Sequence, residues 1–365
     1  MTALAKLVMD AATDPLRHAR EHAQKGARVI GVVGAEAPVE LVIAAGAMPV
    51  AVPAFAGDRT ADADRHLEPA FSPRVRSVTE QWLQGRLDFI EAVIFTRADD
   101  SEQRCYYYLC ELQRRGQARG PIPLIFDIAK IPRAASLKHS EAATRALAQA
   151  LSSDPARLDA AIGVRDRRRS LFGRLERLRR SDRPPPGSDC ERLLRLADTL
   201  PAERFDTTLA AWLEEQFPER HGPRLLLAGT TPPDGRLHEA VEEAGGCIVG
   251  EIDNEGIDRL GPMIGAASEP LGALARHYHS MSYGPRGFGD RTSRLVRRAG
   301  EYAVDGVVSW LIEEDEASAW HVPATVAALE AAGMPLLSLT RRSWDAGDGA
   351  LERIAAFTRE LRNRS

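Results

Sequence analysis

Short apolar runs rich in β-branched residues alternate along the first half of the chain with segments whose apolar positions recur at a helical spacing. The runs are typical of buried parallel strands, and the segments between them are typical of helices. The predicted strands are residues 28–34, 48–55, 89–96 and 122–128, and the predicted helices are 37–47, 71–85 and 100–115. Because strands and helices alternate through short connections, the pattern predicts βαβ units around a parallel sheet.

The same alternation returns in the second half of the chain. Its predicted strands are residues 224–229, 247–252, 305–312 and 334–340, and its predicted helices are 234–244, 317–332 and 351–362. The second half therefore repeats the architecture of the first. We expect an α/β protein with two Rossmann-like domains, each with a parallel sheet, plus connecting helices.

A region of different composition separates the two halves. Residues 136–183 are dominated by Leu, Ala and Arg, and a Pro-rich stretch at 183–189 interrupts the helical pattern. Such a stretch is typical of a linker. We expect an N-terminal α/β domain with a helical extension at 1–183, a linker with helices at 184–223, and a C-terminal α/β domain at 224–365.

Residues 165–180 carry a dense run of arginines around an apolar stripe of Leu171, Leu175 and Leu178. A face that binds phosphate groups is one interpretation. Acidic residues are interspersed, however, and favour the other, a solvated helix that packs through its leucines.

Charge and composition narrow the classes of function. The chain of 365 residues has 48 Lys and Arg against 52 Asp and Glu, which gives a net charge of −4. Binding of nucleic acid needs a clustered positive field, so we expect no nucleic-acid partner. No apolar run approaches the roughly 18–20 residues of a membrane span, and the start of the chain is unlike a secretory leader. Four cysteines in so long a chain indicate a reducing, cytoplasmic setting rather than a disulfide scaffold.

Acidic clusters follow two of the predicted strands. Asp99 and Asp100 come after the strand at 89–96, and residues 313–316 come after the strand at 305–312. Ligands of open α/β sheets bind beyond the carboxyl ends of the strands. The carboxylates could hold a divalent metal ion, or they could cap the helices that follow; both interpretations stay open here.

A glycine-rich loop at 281–290 contains Tyr283 and Arg286 and follows His277 and His279. Its glycines do not follow a strand, so it is not a dinucleotide-binding fingerprint. We expect Tyr283 and Arg286 to bind substrate, with the guanidinium on a phosphate or a carbonyl oxygen. On a helix, the two histidines would point about 200° apart, which disfavours joint ligation of a metal.

An ordered set of segments resembles the 2-hydroxyacyl-CoA dehydratase family, which includes the D-component of 2-hydroxyglutaryl-CoA dehydratase and benzoyl-CoA reductase subunits. The resemblance covers nearly the whole chain, roughly 25–365. The segments that carry it are 38–50, 71–77, 87–89, 93–95, 100–101, 224–229, 242–246, 302–308 and 331–339.

This resemblance implies a fold, a chemistry and partners. Members of the family work as heterodimers of related subunits and bind a CoA thioester between two Rossmann-like domains. Three cysteines hold a [4Fe-4S] cluster, and an ATP-dependent activator supplies an electron. A ketyl radical then eliminates water, so an active member is a lyase. A homodimer is the alternative assembly for this chain.

The chain departs from the family at all three cluster cysteines. The family's Cys-Pro-x-Val-Arg-Ser stretch has Ser72 in place of its cysteine, and the positions of the second and third cysteines match Asp99 and Asp315. Hydroxyl and carboxylate groups do not supply the soft anionic sulfur that the iron requires. We therefore expect a degenerate site at which this chain holds no cluster of its own, with a divalent metal on these residues as the alternative.

Two further residues complete the candidate site. Glu40 lies in a stretch that in the family is beside the active site, and we consider it, with Asp99 and Asp315, as a candidate catalytic residue. Arg76 matches the family's Val-Arg-Ser arginine and is a candidate for substrate binding. Three hypotheses result: a subunit that binds a CoA thioester beside a cluster-bearing partner, a nonenzymatic or regulatory acyl-CoA-binding relative, or an enzyme that uses a divalent metal on carboxylates.

Overall fold

The computed structural model describes residues 14–97, 99–281 and 289–364. Within these residues the chain forms two compact units, each containing segments from different parts of the sequence. Unit 1 consists of residues up to 171 together with 196–212 and 259–288, and unit 2 of residues 172–195, 213–258 and the remainder from 289.

Each unit contains one four-stranded sheet in which all neighbouring strands are parallel. The strands are β1 Val29–Val33, β2 Met48–Ala51, β3 Ala92–Thr96, β4 Ile122–Phe126, β5 Arg224–Gly229, β6 Cys247–Ile252, β7 Gly306–Ile312 and β8 Leu336–Arg342. The order is β2-β1-β3-β4 in unit 1 and β6-β5-β7-β8 in unit 2. The two sheets therefore have the same topology, and the predicted fold class, α/β with two Rossmann-like domains, is confirmed.

Fourteen α-helices are present in the described ranges. They are α1 Arg17–Gln24, α2 Val39–Ala44, α3 Pro73–Leu83, α4 Asp100–Arg114, α5 Ala134–Leu151, α6 Pro155–Arg179, α7 Gly187–Leu196, α8 Ala202–Trp212, α9 Arg236–Glu243, α10 Pro270–Ser280, α11 Arg291–Glu301, α12 Glu316–Ala319, α13 Val322–Ala331 and α14 Ala350–Arg364. None of these helices has the length and apolar character needed to cross a membrane.

The central strands are the most deeply buried elements. Every residue of β1, β3 and β7 is buried, because helices cover both faces of a parallel sheet. This explains why continuous apolar runs, rather than alternating ones, identified the strands. One helix prediction is wrong in detail: residues 317–332 form the two helices α12 and α13, separated at Trp320 and His321, with Pro323 in the first turn of α13.

Helix α6 buries four of its arginines. Three of its arginines in unit 1, Arg165, Arg168 and Arg169, are at most 6% exposed, and Arg179 in unit 2 is 1% exposed. Each is paired with a carboxylate; Arg165, for example, lies 2.7 Å from Asp198. Leu171 and Leu175 are buried as expected, and Arg167 and Arg177 are exposed as expected, but the interpretation of the run as a solvated face is wrong for the four buried arginines. They are internal ion-pair partners, which a composition pattern cannot distinguish from surface charges.

In unit 2 the carboxylate of Glu251, at the end of β6, holds the Arg179 guanidinium in a bidentate pair with both N···O distances at 2.6 Å. Nε2 of the fully buried His238 lies 2.9 Å from the same carboxylate. Burial raises the pKa of Glu251, but Arg179 and His238 outweigh this effect and lower it to about 2. Glu251, Arg179 and His238 therefore join β6, α6 and α9 through buried electrostatic interactions that water does not screen.

We expect Glu251→Gln to destabilise the protein by about 3–5 kcal/mol at pH 7, because it leaves a buried guanidinium without its counter-charge. Since the folded pKa of Glu251 is below the ordinary value of 4.5, this stabilisation is present above pH 4.5 and is lost as the pH falls towards 2. Urea unfolding at several pH values measures the difference. Glu243→Gln, at an exposed position on α9, is the control and should be nearly neutral.

Candidate functional site

Two of the three positions that match the family's cluster cysteines lie at adjacent helix N-termini in unit 1. Ser72 is the N-cap of α3, where its hydroxyl accepts a hydrogen bond from the backbone N–H of Val75 at 3.4 Å. Asp99 is the N-cap of α4 and accepts from the N–H groups of Ser101 at 2.8 Å and Glu102 at 3.3 Å. The Ser72 N–H donates to the Ser101 hydroxyl at 3.3 Å, which links the two helix starts.

The third position has the same role in unit 2. Asp315 follows β7 and is the N-cap of α12, where it accepts from the N–H of Ser318 at 3.1 Å. Its other oxygen accepts a hydrogen bond from the hydroxyl of Thr230 at 2.7 Å, directly after β5. The interpretation of Asp99 and Asp315 as capping residues is confirmed, whereas Asp100 is the first residue of α4 rather than its cap.

The donors at these positions do not fit the iron–sulfur cluster that the resemblance implies. Hydroxyl and carboxylate oxygens replace sulfur, and each of the three side chains is already hydrogen-bonded to backbone N–H groups. Within the described part of the chain, no group of three or more His, Cys, Asp or Glu residues is arranged to hold a metal ion.

The four cysteines lie elsewhere and are all free thiols. Cys105, Cys190 and Cys247 are buried, and Cys110 is partly buried. Burial raises the pKa of the Cys105 thiol to about 12, and it also raises the pKa values of the other three. Because only the thiolate is a strong ligand, these thiols are poor ligands at neutral pH.

Glu40 is completely buried on α2 and is held by two partners from other elements. Its carboxylate lies 2.5 Å from Nη2 of Arg169 on α6 and accepts a hydrogen bond from the Tyr278 hydroxyl at 2.9 Å. His277 lies 3.3 Å from the same Arg169 nitrogen, and burial lowers the pKa of His277 to about 4. This arrangement gives Glu40 an evident structural role in unit 1.

The candidate substrate-binding residues are placed differently. The Arg76 guanidinium contacts Asp64 and the carbonyl oxygens of Glu68 and Phe71. These hydrogen bonds are all to residues of unit 1, the unit that contains Arg76. Tyr283 and Arg286 lie outside the described residues.

A buried polar cluster that the sequence reasoning missed lies where β1 and β3 end in unit 1. Gly34 directly follows β1 with φ +94°, and a Cβ at this position would be 2.1 Å from Oε2 of Glu102 and 2.5 Å from the Thr96 hydroxyl. Glu36, also in a left-handed conformation with φ 67°, places its Oε2 2.6 Å from Nζ of Lys130. The absence of a side chain at residue 34 thus makes room for the carboxyl of Glu102.

The electrostatics of this cluster leave Glu102 protonated at neutral pH. Burial and the nearby Asp99 carboxylate raise the pKa of Glu102 to about 8, against the lowering effects of Arg74 and of a hydrogen bond with the Thr96 side chain. Arg74 is 3.8 Å from Glu102, and Glu36 is neutralised by Lys130. Oε1 of Glu36 is buried and has no hydrogen-bond partner among the described residues.

The position of this cluster could have been predicted in part. Strand β2 lies on one side of β1, and β3 lies on its other side. The boundary between β1 and β3 is therefore the switch point of the sheet, and ligands of open α/β sheets bind at such a point. The loop after the first predicted strand, which contains Gly34 and Glu36, lies at this switch point. Glu102 and Lys130 carry no local signal, because only the folded chain brings them to this place.

We expect Gly34→Ala to destabilise the protein by about 3 kcal/mol or more, since it combines an unfavourable φ with a clash against Glu102. Gly26→Ala is the matched control, because Gly26 also has a positive φ of 79° but no atom within 4 Å of the added Cβ. The control should lose only about 1–2 kcal/mol. Urea unfolding of both variants measures the difference, and equal losses would show that the Glu102 contact is unimportant.

A family model described as 2-hydroxyglutaryl-CoA dehydratase, D-component, matches residues 35–361, which include Ser72, Asp99 and Asp315. No curated protein matches the chain. Because the match covers most of the chain, this protein belongs to the 2-hydroxyglutaryl-CoA dehydratase D-component family.

Proposed function

We propose that this chain is a 2-hydroxyacyl-CoA dehydratase-type subunit that binds a CoA thioester and carries no iron–sulfur cluster of its own. The observation that supports the proposal most is the use of Ser72, Asp99 and Asp315 as helix caps. These side chains stabilise the helix starts without metal, so the fold does not depend on a cluster.

The partner in this proposal is a related subunit that retains the three cysteines. That subunit would supply the cluster and receive the electron from the ATP-dependent activator, in the cytoplasm. This chain would contribute binding of the CoA thioester, with Arg286 and Tyr283 as its contacts to the ligand. Arginine suits the role because its guanidinium forms paired, charge-assisted hydrogen bonds with phosphate oxygens.

Two alternatives lead to different expectations. A nonenzymatic or regulatory relative would bind acyl-CoA equally well but would add nothing to the activity of a cluster-bearing subunit. A divalent metal on Asp99 and Asp315 is less well supported, because both carboxylates already accept hydrogen bonds from the helices they cap.

We expect calorimetric titration with a 2-hydroxyacyl-CoA to detect binding and Arg286→Ala to weaken it about tenfold, the effect of losing one charge-assisted contact. Arg297→Ala is the control, because Arg297 on α11 has a side chain that is 64% exposed. Absence of binding by the wild-type chain would contradict the proposal.

The subunit role is tested by co-expression with a relative that retains the cysteines. The proposal predicts a stable complex that dehydrates the 2-hydroxyacyl-CoA when the activator and ATP are present. Acyl-CoA binding with neither complex formation nor a contribution to turnover would favour the nonenzymatic alternative.

A further inference from the structure

A small cavity in unit 2 lies beyond the carboxyl ends of β5 and β6, the edge at which ligands of open α/β sheets bind. Its walls belong to α7, α9, the end of β6 and the segments that directly follow β5 and β6. The cavity is partly open to solvent, and its volume of about 20 Å³ accommodates one non-hydrogen atom with its hydrogens, the size of a water molecule. The proposed function assigns it no role.

Two residues that line the cavity each have a buried polar atom without a hydrogen-bond partner among the described residues. Glu191 on α7 has a side chain that is 7% exposed; its Oε1 accepts from Arg195, and its Oε2 has no partner. His238 on α9 is fully buried; its Nε2 lies 2.9 Å from Oε1 of Glu251, and its Nδ1 has no partner. Because a buried polar atom without a partner is costly, a ligand that satisfies both atoms would bind favourably.

Both of these atoms are hydrogen-bond acceptors. The Glu191 carboxylate forms an ion pair with Arg195, and its second oxygen can only accept. The Glu251 carboxylate, which also holds the Arg179 guanidinium, accepts the hydrogen on Nε2 of His238. In the neutral imidazole the other nitrogen then carries a lone pair, so Nδ1 is an acceptor. The cavity thus offers two acceptors in a space for one atom.

A group that fits this cavity must donate two hydrogens from a single atom. A carbonyl oxygen donates none, and a hydroxyl donates only one. A metal ion would also accept both lone pairs, but the described residues contain no group of three or more His, Cys, Asp or Glu arranged to hold one. An amino group has the two hydrogens, and Leu194 and Pro232 in the cavity wall provide apolar surface for a ring that carries it.

Resting on the proposed function, we propose that this cavity is the subsite for the adenine ring of CoA. The adenine amino group is the only nitrogen of CoA that carries two hydrogens, because the amides of its pantetheine arm are secondary. One hydrogen is donated to Oε2 of Glu191 and the other to Nδ1 of His238, while the ring lies against Leu194 and Pro232. The subsite recognises the nucleotide end of the ligand, independently of the acyl group.

The test compares, by calorimetry, CoA with its inosine analogue, in which a carbonyl oxygen replaces the adenine amino group. The wild-type chain should bind CoA about tenfold more tightly, because the carbonyl oxygen donates no hydrogen to either acceptor. Glu191→Gln should weaken CoA about tenfold and strengthen binding of the analogue. Since Arg195 donates to Oε1, the amide oxygen takes that position and the amide N–H₂ points to the cavity as a donor.

A second variant and a control separate a direct role from a loss of folding. His238→Gln keeps an N–H donor for Glu251 but removes the Nδ1 acceptor, so it should also reduce the preference for CoA over the analogue. It serves where Glu191→Gln does not fold. Glu243→Gln makes the same change of charge at an exposed position on α9 and should keep the wild-type preference.

Equal affinity of the wild-type chain for CoA and the inosine analogue would overturn the subsite but leave CoA binding in place. The subsite is also overturned if Glu191→Gln and His238→Gln keep the wild-type preference, as expected when only an ordered water or an ammonium ion fills the cavity. Failure of the wild-type chain to bind either compound would overturn the proposed function and the subsite together.

Discussion

The backbone N–H groups at the start of a helix need hydrogen-bond acceptors, and this requirement governs the strand-to-helix junctions of the protein. Asp99 and Asp315 meet it directly after central strands, and Ser72 meets it at the start of α3. These are the positions that match the family's cluster cysteines. Oxygen side chains at these positions cap the helices, and they are not the soft sulfur ligands that an iron–sulfur cluster requires.

Much of the fold follows from the sequence, because the strands of a parallel sheet are apolar on both faces. The runs around β1, β3 and β7 identified the two sheets without any long-range information. The burial of Arg169 and Arg179 could not be predicted in the same way. Their partners Glu40 and Glu251 are more than 70 residues away, so nothing in the local pattern distinguishes these arginines from solvated ones.

The candidate site also contains features that depend on local sequence and features that depend on long-range contacts. Capping by Asp99 and Asp315 depends on neighbouring residues only, and the sequence indicated it. The cluster of Glu36, Glu102 and Lys130 depends on three segments meeting, so only its place at the switch point of the sheet could be predicted. Ion pairs balance the charges there, and burial keeps Glu102 protonated, so the cluster differs chemically from the acidic metal site that the composition of the strand ends suggested.

The use of Ser72, Asp99 and Asp315 as helix caps bears on assembly as well as on chemistry. Under the proposed function, iron–sulfur chemistry is supplied by another subunit. The most direct test is the iron and acid-labile sulfide content of this chain, purified alone under anaerobic conditions after cluster reconstitution. The account predicts no stoichiometric iron or sulfide, whereas about four of each per chain, as in a [4Fe-4S] cluster, would contradict it.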